Sequence, residues 1–210
     1  MPSLESRLIL VTDRHQTKGR PLLSVLAQAL KAGTLSIQLR ERDLTAKELL
    51  AVADQIGQLV RPLGSQLLVN DRLDIALSLQ GAGVHLRSDS LPLTTARRLV
   101  GADRLLGVSV HSVSEAVQAE ADGADYVVFG PIYETPSKHR YGRPLGLTTL
   151  KEATRAVRVP IVGIGGVTAA RAWDVRSAGA FGVAVITAVL GAENPEAATR
   201  ALLEAVTPTS

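Results

Sequence analysis

The 210-residue sequence predicts an α/β fold, a single (β/α)8 barrel spanning residues 1–210. Three observations predict it. Eight short apolar runs rich in β-branched residues recur from end to end; segments of helical periodicity separate them; and no shift in composition or low-complexity tract marks a second domain.

The runs are Leu8–Thr12, Leu35–Leu39, Leu67–Val69, Gly83–Leu86, Leu105–Val110, Asp125–Phe129, Val159–Ile164 and Phe181–Ile186. Each is too short for a helix and alternates little, as expected of a strand buried on both faces in a parallel sheet. Between the first two, Leu22, Leu23, Val25, Leu26, Ala29 and Leu30 recur at helical spacing. The next helix runs through Leu49, Leu50, Val52, Ala53, Ile56 and Val60, opened by Thr45 with Glu48 three residues on, the pattern of a capping box. Ser112 and Glu115 repeat the device, Thr168 is placed to cap the helix carrying Trp173 and Val175, and Asn194-Pro195 opens the last helix, which ends at Val206. Gly33, Gly123 and Gly179 close helices shortly before strands. A doubly wound sheet is the competing architecture, but Thr12-Asp-Arg-His15 lacks the glycine-rich turn of a dinucleotide site. The single long irregular connection, Gly130–Leu147, holds three prolines, and such loops are usually functional or disordered.

Composition narrows the function. The chain has no cysteine, so disulfides, thiolate metal sites and a cysteine nucleophile are excluded. Aromatic residues are 3%, too few for a base-stacking platform or a membrane-interface belt. The net charge of +3 comes from scattered arginines without a basic run, so no nucleic-acid partner is expected. The longest apolar stretch, Phe181–Ala192, falls short of the ~20 residues a spanning helix needs. Met1–Arg7 has no apolar signal segment, so no membrane partner and a cytoplasmic location are expected. Homo-oligomerisation is left open.

In a barrel of this kind, polar residues at the C-terminal ends of the strands face the active site. That rule selects Gln38 and Arg40 after the second strand, which point the same way because they are two apart. An arginine there can hold a phosphate through two parallel bonds, or can line the barrel paired with Asp71. Asn70 and Asp71 end the third strand and offer hard oxygen donors for Mg²⁺ with a bound diphosphate, with capping of the Leu73–Leu79 helix as the alternative for Asp71. After the fourth strand come Arg87, Ser88, Asp89 and Ser90; the fifth gives Ser109 and His111. The long loop supplies Thr135, Ser137 and Lys138, a cation with hydroxyls suited to a leaving diphosphate. Gly165-Gly166 and Ile186-Thr187, each leading into a helix, place backbone N–H groups where barrels of this kind bind phosphate. His85 lies within a strand and reads as a satisfied core residue, while His15 and His139 fall in loops.

The stretches Gln38-Leu-Arg-Glu41, Asn70-Asp-Arg-Leu-Asp-Ile-Ala76, Gly83-Val-His-Leu86, Gly107-Val-Ser-Val-His-Ser112, Phe129-Gly-Pro-Ile-Tyr133, Thr135-Pro-Ser-Lys138, Gly163-Ile-Gly-Gly166 and Gly182-Val-Ala-Val-Ile186 occur in that order. Together they resemble the thiamin phosphate synthase family, whose superfamily includes the TenI-like thiazole tautomerases. The resemblance implies a transferase of thiamin biosynthesis that couples hydroxymethylpyrimidine diphosphate with a thiazole phosphate carboxylate and releases diphosphate. It implies that Gln38 and Arg40 contact the pyrimidine diphosphate, that Asn70 and Asp71 sit at the diphosphate and Mg²⁺, and that Ser109 and Lys138 hold the diphosphate. Thr135 and Ser137 would line the thiazole side, with Gly166, Ile186 and Thr187 on its phosphate.

The sequence departs from that pattern in two places. Arg42 stands where the family has lysine. After His85 the family reads His-x-Gly-Gln-x-Asp, whereas here the second metal position falls on Ser90, leaving neighbouring Asp89 as the candidate ligand and Arg87 as a cation able to take the ion's place. Gly130-Pro131 follows the synthase pattern, not the glycine–histidine pair of better-known tautomerases. A tautomerase that aromatises thiazole phosphate, and a binding protein without turnover, are the alternatives.

Overall fold

A computed structural model describes residues 2–135 and 143–207. Eight parallel strands form one closed barrel in sequence order. They are β1 (Leu8–Val11), β2 (Ser36–Leu39), β3 (Leu67–Asn70), β4 (Gly83–Leu86), β5 (Leu106–Val110), β6 (Tyr126–Phe129), β7 (Ile161–Ile164) and β8 (Gly182–Val185), with β1 paired to β8 through Ile9↔Ala184. Around them lie α1 (Leu22–Leu30), α2 (Ala46–Val60), α3 (Leu73–Ser78), α4 (Leu93–Val100), α5 (Val113–Ala121), α6 (Gly146–Ala156) and α7 (Ala169–Ser177). After β8 come a single-turn α8 (Thr187–Leu190) and then α9 (Pro195–Val206). All eight expected strands are present, within two residues at either end.

Each strand splits its side chains between two cores, because alternate residues point to opposite faces. Outward-facing residues such as Leu8, Leu10, Ile37, Leu39 and Val69 pack with the helices. Inward-facing Ile9, Val11, Leu68, Tyr126, Val128, Val162 and Ala184, closed below by Leu4 and Leu105, fill the barrel. The interior is thus apolar at its base and on the β6–β8 side. Towards the mouth on the β2–β5 side, buried Gln38, Asn70 and His85 replace the aliphatics.

Helix starts follow the local code in three of the four places where the sequence offers it. Thr45 and Glu48 form the reciprocal box, with the Glu48 N–H donating to Thr45 Oγ1 and the Thr45 N–H donating to Glu48 Oε2 at 2.9 Å. Asn194 accepts from the Ala197 N–H at 3.0 Å. Ser112 accepts from the Glu115 N–H at 3.1 Å, but the Glu115 carboxylate reaches one residue further back and accepts from the His111 N–H at 2.7 Å. Thr168 is the exception: it occupies the N-cap position of α7 without a side-chain capping bond. The expectation that it caps is corrected accordingly; extended backbone and position are right, but the hydroxyl is not used.

Candidate active site

The mouth of the barrel is built where β2, β3, β4 and β5 end. The Thr12 N–H donates to the Gln38 carbonyl at 2.9 Å, and the Arg40 N–H donates to Thr12 Oγ1 at 2.9 Å, so a fully buried threonine ties the end of β1 to that of β2. The Gln38 side-chain amide donates to Asn70 Oδ1 at 3.1 Å, and Asn70 Nδ2 donates to Asp71 Oδ2 at 3.2 Å. A chain of polar groups therefore runs from β2 across β3 to the carboxylate beyond it.

Asp71 has φ +60°, a left-handed conformation that few non-glycine residues adopt. It is held there from several sides. Its N–H donates to the His85 carbonyl at 2.9 Å, and its Oδ1 accepts from the Arg87 N–H at 3.0 Å. The side chain is thus committed to β4, and the alternative role in capping α3 is not taken: Arg72 is the N-cap, without a side-chain bond.

Arg87 lies between two acids. Its Nε is 2.7 Å from Asp71 Oδ2 and 3.1 Å from Asp89 Oδ1, yet its buried N–H bond is directed at neither oxygen. The contact is one of opposite charges at short range, with poor hydrogen-bond alignment. Two carboxylates thus converge on one cationic point. Hard oxygens arranged in this way suit Mg²⁺, which keeps most of its coordination sphere for water and phosphate oxygens. No cluster of three or more His, Cys, Asp or Glu with metal-binding geometry occurs among the described residues.

Arg40 is half-buried and makes no ion pair among the described residues, so the alternative of an Arg40–Asp71 pair is not realised. Burial lowers its pKa from the ordinary arginine value, and the nearby cations Arg42 and Arg87 lower it further, outweighing Asp13 and Glu41. A partly desolvated cation among like charges is suited to an anionic ligand.

Below the mouth, the buried His85 of β4 reaches side chains of β5 and β6. Its Nε2 is 2.9 Å from Ser109 Oγ and its Nδ1 is 3.0 Å from the Tyr126 hydroxyl. Burial drives its pKa down from 6.5 to about 4, against the attraction of Asp71, so the ring is neutral near pH 7. Burial likewise raises the Tyr126 hydroxyl well above the ordinary tyrosine range. Gly107 makes this possible: a Cβ there would stand 2.1 Å from Tyr126 Cζ, so the tyrosine ring occupies the space a side chain would need.

Across the mouth, β7 and β8 are paired through Ile164↔Ala184, which sets Gly165-Gly166 beside Ile186-Thr187. Gly165 and Gly166 have φ of +98° and +64°, and Cβ atoms on them would strike Pro131 and the Glu134 carbonyl at 2.6 and 2.7 Å. Only glycine lets the segment after β6 lie against this turn. Ile186 is the N-cap of α8 and Thr187 its first residue, so N–H groups without intrahelical acceptors face the same corner. Arg171 adds a cation beside it, donating to the Gly166 carbonyl at 2.9 Å with its guanidinium 4.7 Å from the Tyr133 ring centroid.

Of the residues selected from sequence, Gln38, Asn70 and Asp71 form one connected network, joined through Asp71 to Arg87 and Asp89, with Arg40 beside it. Ser109 is bonded to His85, and Gly166, Ile186 and Thr187 line the opposite corner. Thr135 lies in the segment after β6, and Ser137, Lys138 and His139 fall outside the described residues. His111 is tied by Nδ1 to the Gly130 carbonyl at 2.5 Å. Sequence reasoning missed Thr12, Tyr126 and Arg171. Only Tyr126 carried a usable signal, a polar aromatic residue in a buried strand paired in register with Gly107.

The family model described as thiamine monophosphate synthase matches residues 8–189. The chain belongs to that family. The thiamine-phosphate synthase of Roseiflexus castenholzii is 47% identical over 97% of this chain and 89% of its own length. The thiamine-phosphate synthase of Moorella thermoacetica is 48% identical over 90% of each. Among solved structures, the thiamine phosphate pyrophosphorylase of Pyrococcus furiosus superposes with a TM-score of 0.87 at 33% identity, covering 95% of both chains. Membership of the thiamine monophosphate synthase family thus rests on sequence and on fold alike, over nearly the whole barrel.

Proposed function

We propose that this chain is a thiamin phosphate synthase: it joins the methylene carbon of hydroxymethylpyrimidine diphosphate to the nitrogen of a thiazole phosphate. The C–O bond to diphosphate breaks, diphosphate leaves with the electron pair, and the new C–N bond completes thiamin phosphate; the carboxyl group of a thiazole carboxylate departs as CO₂. Family membership and the near-full-length identity to synthases support this reading. Within the site, the observation that carries it is the half-buried guanidinium of Arg40, which makes no ion pair among the described residues and which an anionic diphosphate would satisfy.

In this reading the residues work by placement and charge, because ionisation of the pyrimidine diphosphate needs its leaving group stabilised and the two rings aligned. Arg40 and Lys138 hold the diphosphate, with Ser109 donating to it. Gln38 and Asn70, locked to each other, orient the pyrimidine end. Asp71 and Asp89 would hold Mg²⁺, with Arg87 released to the diphosphate. Bound there, the ion would supply positive charge to the departing oxygens. Thr135 and Ser137 border the thiazole, and the Gly166, Ile186 and Thr187 corner takes its phosphate. The partners are therefore small phosphorylated substrates. No helix among the described residues is long and apolar enough to cross a membrane, in keeping with a cytoplasmic location.

The test is formation of thiamin phosphate by the purified chain from both substrates, with and without Mg²⁺. Mg²⁺-dependent turnover is expected. Turnover unchanged by chelation would remove Asp71 and Asp89 from a metal role. No turnover beside an active control synthase would shift the assignment to thiazole aromatisation or to binding alone.

A further inference from the structure

Tyr126 is buried among Leu68, Leu105, Val128 and Val162, and its hydroxyl has a single hydrogen-bond partner among the described residues, His85 Nδ1 at 3.0 Å. His85 is equally buried, and its other nitrogen reaches one further group, Ser109 Oγ at 2.9 Å. Ser109 is the only one of the three that reaches the mouth. Three polar groups in line thus connect the apolar interior to a residue of the site.

The direction of this chain follows from which proton has nowhere else to go. A buried O–H donor without an acceptor loses its hydration with nothing in return. Among the described residues the Tyr126 proton has only His85 Nδ1 to meet, and the side chains packed around the ring include the aliphatic Leu68, Leu105, Val128 and Val162. Tyr126 therefore donates, Nδ1 accepts, and the proton of the neutral imidazole lies on Nε2. Nε2–H then donates to Ser109 Oγ, so the serine's own proton cannot point back at the ring and turns to the mouth. In the reverse arrangement Ser109 would donate inward and offer lone pairs to the ligand, while the Tyr126 proton would be stranded in hydrocarbon.

We propose that Tyr126 is a positioning residue that, through His85, fixes Ser109 as a hydrogen-bond donor towards the diphosphate. The proposal rests on the reading of Ser109 as a diphosphate contact, and goes beyond it by assigning the tautomer of His85 and the role of a residue remote from substrate. A core tyrosine would otherwise be expected to act by packing alone; here the oxygen matters separately from the ring.

The experiment has two readouts. In ¹⁵N-histidine-labelled protein, the His85 resonances are expected to show the proton on Nε2 in the parent, with that preference weakened in Tyr126→Phe, which keeps the ring over Gly107. A parent protonated on Nδ1 overturns the proposal without recourse to any variant. In parallel, inorganic diphosphate is titrated with Mg²⁺ into the parent, Tyr126→Phe, Ser109→Ala and the double variant. Tyr126→Phe is expected to weaken binding about tenfold, the size of one net hydrogen bond, and to add nothing in the Ser109→Ala background. Equal weakening in both backgrounds would mean a purely structural effect and would sink the proposal. A parent that binds no diphosphate while carrying Nε2–H would instead refute the coupling reading on which the ligand assignment rests.

Discussion

Asp71 meets Arg87 twice: Oδ1 accepts from the Arg87 backbone N–H at 3.0 Å, and Oδ2 lies 2.7 Å from the Arg87 side-chain Nε. The first contact is well formed and fixes the carboxylate; the second is misaligned and leaves the guanidinium free to be exchanged for another cation. Asp89, at 3.1 Å from the same nitrogen, completes a small acidic pair around it. The pairing brings two carboxylates to one point although residue 90 is a serine.

Asp71→Asn separates charge from backbone geometry. Asparagine tolerates φ +60° at least as well as aspartate, so the folded barrel is retained, while one carboxylate is lost. The kcat for coupling is expected to fall about 100-fold, as for loss of an electrostatic stabiliser. Steady-state kinetics across a Mg²⁺ series check this; parent-like rates would take Asp71 out of the reaction.

Arg40→Met exchanges a partly desolvated cation for an apolar chain of similar length. The apoprotein should gain about 1 kcal/mol in urea unfolding, because a cation that burial desolvates, and that Arg42 and Arg87 further oppose, is removed. Affinity for the pyrimidine diphosphate should fall by at least about tenfold, the loss of a charge-assisted bond. A variant that is less stable than the parent would show that Arg40 has a structural partner.

Gly166→Ala introduces a Cβ 2.7 Å from the Glu134 carbonyl at φ +64°. Both the strain and the clash push the segment after β6 away from the phosphate corner, at a cost of about 1–3 kcal/mol. The expected kinetic signature is a raised KM for thiazole phosphate with KM for the pyrimidine diphosphate nearly unchanged. Equal changes in both would place this corner elsewhere in the reaction.

His85 makes stability depend on pH. Its folded pKa of about 4 lies below the ordinary 6.5, so the unfolded chain binds a proton that the folded chain does not. The contribution is fully present above pH 6.5 and is lost as pH falls towards about 4, by about 3 kcal/mol. The groups around the ring are Tyr126 and Ser109 in contact, with Asp71 and Arg40 acting through charge. His85→Gln should flatten this part of the profile measured by urea unfolding between pH 7 and pH 4.5. An unchanged slope would assign the dependence to other groups.

Much of the site was legible because barrel topology turns position into location. Gln38, Arg40, Asn70, Asp71 and Ser109 could be placed at the mouth from the ends of their strands alone. Thr12 was not legible as part of it: a threonine closing a strand gives no hint that its hydroxyl will accept from a residue 28 positions on. Nor did Thr168 announce that it would leave its hydroxyl unused at a helix start, since residue type favours capping without enforcing it.

By itself the sequence determined what depends on neighbours along the chain: eight strands and the helices between them, the capping box at Thr45, the glycine turn after β7, and hence which residues reach the mouth. Only the tertiary structure decided the pairings. Arg87 meets Asp71 across 16 residues, and His85 meets Tyr126 across 41. Local periodicity fixes the direction in which a side chain leaves its strand. What it meets depends on how the closed sheet sets neighbouring strands in register, and that is a property of the whole barrel.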